Sequence, residues 1–178
     1  IYTVFDIETE IIRQSFINEP ELIIIHFQFE NKIHCLSYSQ IENGIIINSG
    51  SLIKPNEILD FLNKQQCLVG HNIIRYDLVV LKKLLGFEPK SEVQIIDTLS
   101  LSWYLYPSEY NENTENNKQR KHGLENWGNT LGIKKPEIED WENLGLLNYI
   151  NRCEEDVKIN VKLFSYMFGY LSLLYEND

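Results

Sequence analysis

Two acidic residues interrupt an apolar segment at the start of the chain. Asp6 and Glu8 flank Ile7 and follow residues 2–5, whose apolar and aromatic character is typical of a buried strand. Side chains two residues apart on a strand point to the same face, so the two carboxylates lie about 6–7 Å apart at the backbone. Burying such a pair is costly, because the charges repel each other and lose water. A divalent cation such as Mg²⁺ or Mn²⁺ would offset that cost, so the pair indicates a metal site. The structural alternative is that the two acids mark an exposed strand end, where water surrounds them.

Two further acids lie on predicted helices. Asp77 lies at the start of the helical segment 76–85, where an acid in the first turn also interacts favourably with the helix dipole, so a structural role stays open. Asp156 falls on the apolar side of the last predicted helix, beside Cys153, by the i, i+3, i+4 rule. An i, i+4 ion pair with Arg152 is the structural alternative for Asp156.

Apolar periodicity and turn residues predict strands, then β-α-β units, then helices. Such an order favours a mixed sheet with helices on both sides. Segments 22–29 and 33–38 are predicted to form a hairpin around Glu30-Asn31-Lys32. The other predicted strands are 2–7, 44–49, 67–71 and 93–96, the predicted helices are 56–64, 76–85, 98–105, 124–131, 141–150 and 152–170, and 107–120 is a predicted mobile loop.

The acids and their flanking residues, taken in order, resemble the three motifs of the DEDD (DnaQ-like) 3′–5′ exonucleases. The likeness is closest to the proofreading domain of A-family DNA polymerases of short-tailed bacteriophages, and it runs over about residues 1–164. The matching segments are 5–9 (FDIET), 32–35 (KIHC), 71–77 (HNIIRYD), 96–102 (IDTLSLS), 122–128 (HGLENWG) and the late helical Asp156.

This resemblance implies an α/β fold of the ribonuclease-H-like kind, a mixed five-stranded sheet flanked by helices, in one exonuclease domain over residues 1–178. It implies a 3′–5′ exodeoxyribonuclease that removes nucleotides from single-stranded DNA 3′ ends by two-metal phosphodiester hydrolysis. Two Mg²⁺ or Mn²⁺ ions would be bound by four acids that are both metal ligands and catalytic residues: Asp6, Glu8, Asp77 and Asp156.

The third motif departs from the family at Arg152. The family has Tyr four residues before the last Asp, or His five before it, and this chain has Arg152 and Asn151 there. The expected residue orients the attacking water or acts as a general base, and an arginine with a pKa above ~12 cannot accept a proton at neutral pH. Arg152 is therefore predicted either to pair with Asp156 or to stabilise charge at the phosphate, in a slower enzyme. Tyr149, two turns before Asp156, is predicted to be a packing residue.

The resemblance also implies partners. The single-stranded 3′ end is the substrate, and a polymerase domain or subunit is a possible partner. A basic segment at 118–122 is as compatible with phosphate contact as with a solvated loop. The residues predicted to contact the nucleic acid are Thr9, Asn72, Lys118, Arg120, Lys121 and His122.

Composition narrows the class of protein further. The 178 residues suffice for one domain of ordinary size, and the net charge of −10 argues against a protein that grips long duplexes. No apolar run approaches the length of a membrane span, and no signal segment or membrane partner is expected. Three cysteines without metal-type spacing make a disulfide framework or a zinc site unexpected. A cytoplasmic setting, in a bacterium or a phage-infected host, is predicted.

Two questions stay open at this point. The chain begins at Ile1, so it is either part of a longer polymerase or a free-standing exonuclease. Two alternative functions also remain: an exonuclease of the same chemistry that acts on RNA or short oligonucleotides, and a catalytically weakened domain that serves as a nucleic-acid-binding or assembly module.

Overall fold

The structure is a computed structural model that describes residues 1–18, 23–107, 122–133 and 145–175, with side chains described for 1–9, 32–107, 122–133 and 145–173. The described strands are β1 (Tyr2–Asn18), β2 (Ile23–Glu42), β3 (Ile45–Leu52), β4 (Cys67–Gly70) and β5 (Gln94–Asp97). The described helices are α1 (Pro55–Leu62), α2 (Asp77–Leu85), α3 (Thr98–Leu105), α4 (Leu124–Leu131) and α5 (Leu146–Tyr175).

The strands form one five-stranded mixed sheet in the order β3-β2-β1-β4-β5. Strands β1, β2 and β3 are antiparallel neighbours, whereas β1, β4 and β5 run parallel. The predicted α/β class, a mixed five-stranded sheet flanked by helices, is confirmed. Strands β1 and β4 run parallel and pair at Thr3 and Val4. Asp6 and Glu8 follow this pairing and therefore lie at the end of the sheet where β4 leads into the next loop.

Strands β1 and β2 form a longer hairpin than the sequence predicts. They pair from Tyr2 opposite Ile41 to Asn18 opposite Ile23. The predicted hairpin of 22–29 with 33–38 is therefore wrong, because Glu30-Asn31-Lys32 lies inside one continuous strand. Two register shifts leave His34 and Asn31 as extra residues on β2. Such bulges interrupt the alternation of side chains, and polar residues at a bulge resemble a turn in the sequence.

Successive side chains of β1 contribute to two different cores. Phe5 and Ile7 pack with residues of α1 and α2 on one face. Val4 packs with Val157 and Phe164 of α5 on the other face. By strand alternation Asp6 and Glu8 share the α5 face with Val4. The sheet thus has α1 and α2 on one side and α5 on the other.

Helix α5 is continuous where the sequence predicts two helices, at 141–150 and 152–170. The predicted break at residue 151 is wrong, because one helix runs through this residue without interruption. Residues 141–144 of the first prediction, and 108–120 of the predicted loop, lie outside the described residues. None of the described helices is long and apolar enough to cross a membrane.

Gly70 ends β4 and provides the first test of the fold. A Cβ at Gly70 would lie 2.7 Å from Cβ of Ile73, an atom close to the backbone that cannot move aside easily. We expect Gly70→Ala to lower the free energy of unfolding by about 1–3 kcal/mol in urea denaturation, because the loop after β4 must shift.

The matched control is Gly169→Ala, in the exposed part of α5, where an added Cβ meets no atom within 4 Å. This change should be neutral or stabilise by up to about 1 kcal/mol, because alanine is the better helix former. Equal urea midpoints for the two variants would contradict the close packing at Gly70.

Candidate metal centre and active site

Three acidic side chains converge at the end of β1. Asp6 and Glu8 come from β1 and Asp156 from α5, and one carboxylate oxygen of each lies within 4.8 Å of the others. Strand alternation brings the first two together, and the passage of α5 across the same face adds the third. Asp156 is only 7% exposed. The described residues therefore form a set of oxygen donors of the kind that hard divalent cations prefer.

The fourth predicted acid, Asp77, is the first residue of α2 and is 2% exposed. It accepts a hydrogen bond from the backbone N–H of Ile7, between the two acids of β1. Its Oδ1 is buried and has no hydrogen-bond partner among the described residues. A buried carboxylate oxygen without a donor is destabilising, and a bound cation is one group that would satisfy it.

Burial and neighbouring charges raise the proton affinity of Asp6. Burial raises the pKa of Asp6 well above its ordinary value, and the charges of Asp77, Asp156 and Glu8 raise it further. A hydrogen bond from the thiol of Cys153 lowers the pKa of Asp6 in part. Asp77 is therefore close enough to interact with Asp6 although it does not belong to the 4.8 Å set.

Burial also raises the pKa of Asp77, from 3.8 to about 7. Hydrogen bonds from the backbone N–H groups of Asp77 itself and of Ile7 lower this pKa, and the charges of Asp97 and Glu8 raise it. Without a cation, the cluster therefore retains a proton near neutral pH. Divalent ions would replace protons as the positive charge that the acids require.

Two consecutive residues of α5 bind the two acids of β1. The Nε of Arg152 donates to Oε1 of Glu8 at 2.8 Å, in an ion pair whose side chains are 25% and 18% exposed. The Sγ of Cys153 donates to the backbone oxygen of Asp6 at 3.1 Å and lies 3.5 Å from its Oδ2. Glu8 is 144 residues from Arg152 in sequence, so helical spacing did not reveal this pair.

An aromatic contact joins the bulge in β2 to α5 beside this ion pair. The rings of His34 and Tyr149 stack with centroids 4.0 Å apart and an angle of 6° between their planes. His34 is the extra residue next to Cys35, which pairs with Glu8. Tyr149 lies one turn before Arg152, so this stacking contact agrees with its predicted packing role.

Asp97 holds the loop that leads to Asp77. Its Oδ1 accepts from the backbone N–H of Asn72 at 3.0 Å, and its Oδ2 from that of Ile74 at 3.3 Å. The same side chain caps α3 by accepting from the N–H groups of Leu99 and Ser100. Asn72 has a φ of 67°, a left-handed conformation that asparagine tolerates better than most residues.

A buried polar network links the same loop to α5. Thr98 Oγ1 donates to Oδ1 of Asn160 at 2.7 Å and lies 3.0 Å from Nδ1 of His71. Thr98 and Asn160 are 0% and 2% exposed. Since Asn160 follows Asp156 by one helical turn, the network fixes α5 against β4 and β5.

The other residues predicted to contact the nucleic acid differ in their positions. Thr9 Oγ1 is 2.8 Å from the hydroxyl of Tyr76, which directly precedes Asp77. His122 is 2% exposed, and its Nδ1 is 2.5 Å from Oγ of Ser102 in the contact between α3 and α4. Such burial argues against the predicted nucleic-acid contact of His122. The predicted basic contacts lie outside the described residues: Lys118, Arg120 and Lys121.

Sequence reasoning missed several residues that support the site. Asp97 was detectable, because an acid between a predicted strand and a predicted helix is a typical N-cap. Asn160 and Cys153 could not be identified in this way, since the position of a polar residue on an apolar helix stripe does not indicate which residue it will bind. All three cysteines are free and buried: Cys35, Cys67 and Cys153.

Comparison with known proteins does not show a family for this chain. No protein-family model matches the chain, and no curated protein matches it. Similar solved structures include exonuclease X in complex with 5′-overhanging duplex DNA, with a TM-score of 0.48 and 13% sequence identity over 90% of each chain. Because the identity and the TM-score are low, this likeness says nothing about the activity of the present chain.

The raised pKa of Asp77 predicts a pH dependence of stability in the metal-free protein. Folding raises this pKa from 3.8 to about 7, so the folded protein binds a proton at Asp77 more tightly than the unfolded chain does. This proton binding stabilises the fold fully below about pH 4, and the stabilisation is lost as the pH rises through 7. In EDTA at pH 8, Asp77→Asn should therefore raise the free energy of unfolding by about 1–3 kcal/mol.

The gain should shrink as the pH is lowered to 5, where the wild-type carboxyl is protonated. Asp60→Asn, at an exposed position of α1, is the control and should give no such pH-dependent difference. A constant difference between Asp77→Asn and wild type from pH 5 to pH 8, in urea denaturation, would refute the raised pKa.

Proposed function

We propose that the chain is a divalent-cation-dependent 3′–5′ exonuclease that removes nucleotides from the 3′ ends of single-stranded DNA. The observation that carries this proposal is the convergence of Asp6, Glu8 and Asp156 within 4.8 Å, with the buried Asp77 close enough to raise the pKa of Asp6. The direction of cleavage and the choice of DNA rest on the resemblance of the acid motifs to the DEDD exonucleases.

The donor set fits Mg²⁺ or Mn²⁺. All four side chains are carboxylates, which these ions prefer over the sulfur and imidazole ligands typical of zinc sites. Asp6, Glu8 and Asp156 would hold one ion, and Asp6 with Asp77 would hold the second. The buried Oδ1 of Asp77, which lacks a hydrogen-bond partner among the described residues, independently supports a cation at this position.

Divalent ions bound here would lower the pKa of a water molecule and stabilise negative charge on the phosphate oxygens. The protein holds the carboxylates in place for this chemistry. The backbone N–H of Ile7 orients Asp77, and the thiol of Cys153 orients Asp6. Asp97 fixes the loop that carries Asn72, and Thr9 is held by Tyr76. Since the attacking group in this chemistry is water, no side chain has to act as a covalent nucleophile.

The substrate is proposed to be a single strand, as the resemblance of the acid motifs to the DEDD exonucleases implies. Thr9 and Asn72 flank the acids and are proposed to contact the terminal nucleotides. The basic segment with Lys118, Arg120 and Lys121 is proposed to bind the backbone behind them. A polymerase domain or subunit remains the proposed partner, by resemblance alone.

Cleavage of labelled oligonucleotides tests the proposal. Single-stranded DNA should be shortened from its 3′ end with Mg²⁺ or Mn²⁺ and should stay intact with EDTA. Asp6→Asn and Asp77→Asn should each lower the rate by on the order of 10³-fold, because several kcal/mol of transition-state stabilisation depend on the bound ion. Blunt duplex DNA and RNA of the same sequence should be cleaved more slowly.

The matched control is Asp60→Asn, which removes an exposed acid on α1 and should keep the wild-type rate. Thermal denaturation of each variant verifies that it is folded. Internal cuts, or full activity of Asp6→Asn, would contradict an exonuclease at this site. Faster cleavage of RNA would favour the RNA-directed alternative, and DNA binding without metal-dependent cleavage would favour the binding module.

A further inference from the structure

The ion pair between Arg152 and Glu8 involves one of the acids of the 4.8 Å set. Both side chains are mostly buried, so water screens their interaction less than it screens a surface pair. A guanidinium stays charged at any physiological pH. The free protein therefore already contains one permanent positive charge at the site that the proposed function assigns to a divalent cation.

This charge affects the binding of a divalent cation in two ways. The Nε of Arg152 uses Oε1 of Glu8, so an incoming ion has to share Glu8 with the guanidinium or displace it. The ion is also repelled by the guanidinium, and the repulsion is stronger in a half-buried site than in water. Against this, the ion pair holds the carboxylate of Glu8 in one orientation, which would assist binding if orientation were the larger effect.

We propose that Arg152 competes with the divalent cation for Glu8, so that the free protein binds its ion weakly. This inference rests on the proposed function and names the role of a single residue in it. The phosphate of the substrate brings further oxygen ligands and negative charge, and these complete the binding of the ion. Arg152 thus makes ion binding depend on the substrate.

Isothermal titration calorimetry with Mn²⁺, in the absence of nucleic acid, tests the competition. Arg152→Gln removes the charge and keeps a side chain that can donate to Glu8. We expect Mn²⁺ to bind Arg152→Gln about 10-fold more tightly than wild type, a change of about 1.4 kcal/mol. Arg152→Met should give the same gain, which covers the case that one variant folds poorly. Arg152→Lys, which keeps the charge, should stay within about threefold of wild type.

Lys158→Gln is the matched control for net charge. Lys158 also lies on α5, but its side chain is 59% exposed and pairs with Glu155. Its removal changes the net charge by the same amount as Arg152→Gln and should leave the Mn²⁺ affinity within about twofold of wild type. A tenfold gain in Lys158→Gln would mean that overall charge, and not competition at Glu8, sets the affinity.

A double variant tests whether the effect passes through Glu8. In a Glu8→Gln background, Arg152→Gln should change the Mn²⁺ affinity by less than threefold, because Glu8, the carboxylate for which Arg152 and the ion compete, no longer carries a charge. Unchanged or weaker Mn²⁺ binding by Arg152→Gln and Arg152→Met would overturn the competition and favour orientation of Glu8. Absence of Mn²⁺ binding by wild type and all variants up to millimolar ion would instead overturn the proposed function.

Discussion

Mutual repulsion among buried carboxylates is the constraint on which the site depends. Burial raises the pKa of Asp6, and the charges of Asp77, Asp156 and Glu8 raise it further. No sequence would retain this arrangement for stability alone, because replacing one acid by a neutral residue relieves the repulsion. The fold therefore carries a local destabilisation that divalent cations would remove, as is common at functional sites.

The rest of the structure holds these acids close together against their repulsion. The parallel pairing of β1 with β4 brings the loop before Asp77 to the same end of the sheet as Asp6. Asp97 and the buried Thr98–Asn160 contact tie that loop to α3 and α5. The stability of the fold and the geometry of the site are thus linked, since α2 and α5, which cover the sheet, also carry Asp77 and Asp156.

Local patterns predicted much of the fold and the acids of the site. Helices α2 and α4 were predictable from apolar periodicity and from the glycines that end them in left-handed conformations. The long β1–β2 hairpin was not, because Glu30-Asn31-Lys32 has the composition of a turn although it lies in a continuous strand, with one bulge at Asn31 and another at His34. The partner of Arg152 could not be predicted either. Helical spacing identifies only neighbours on the same helix, whereas Glu8 lies on a strand and is 144 residues from Arg152 in sequence.

The central claim is that the carboxylates of Asp6, Glu8 and Asp156 bind a divalent cation. The most direct test is a crystal grown or soaked with Mn²⁺, measured at a wavelength where manganese scatters anomalously. We expect an anomalous peak between these three side chains, with carboxylate oxygens at distances of about 2.0–2.3 Å, as for other hard divalent ions. An anomalous map without a peak at this position, at millimolar Mn²⁺ and neutral pH, would contradict it.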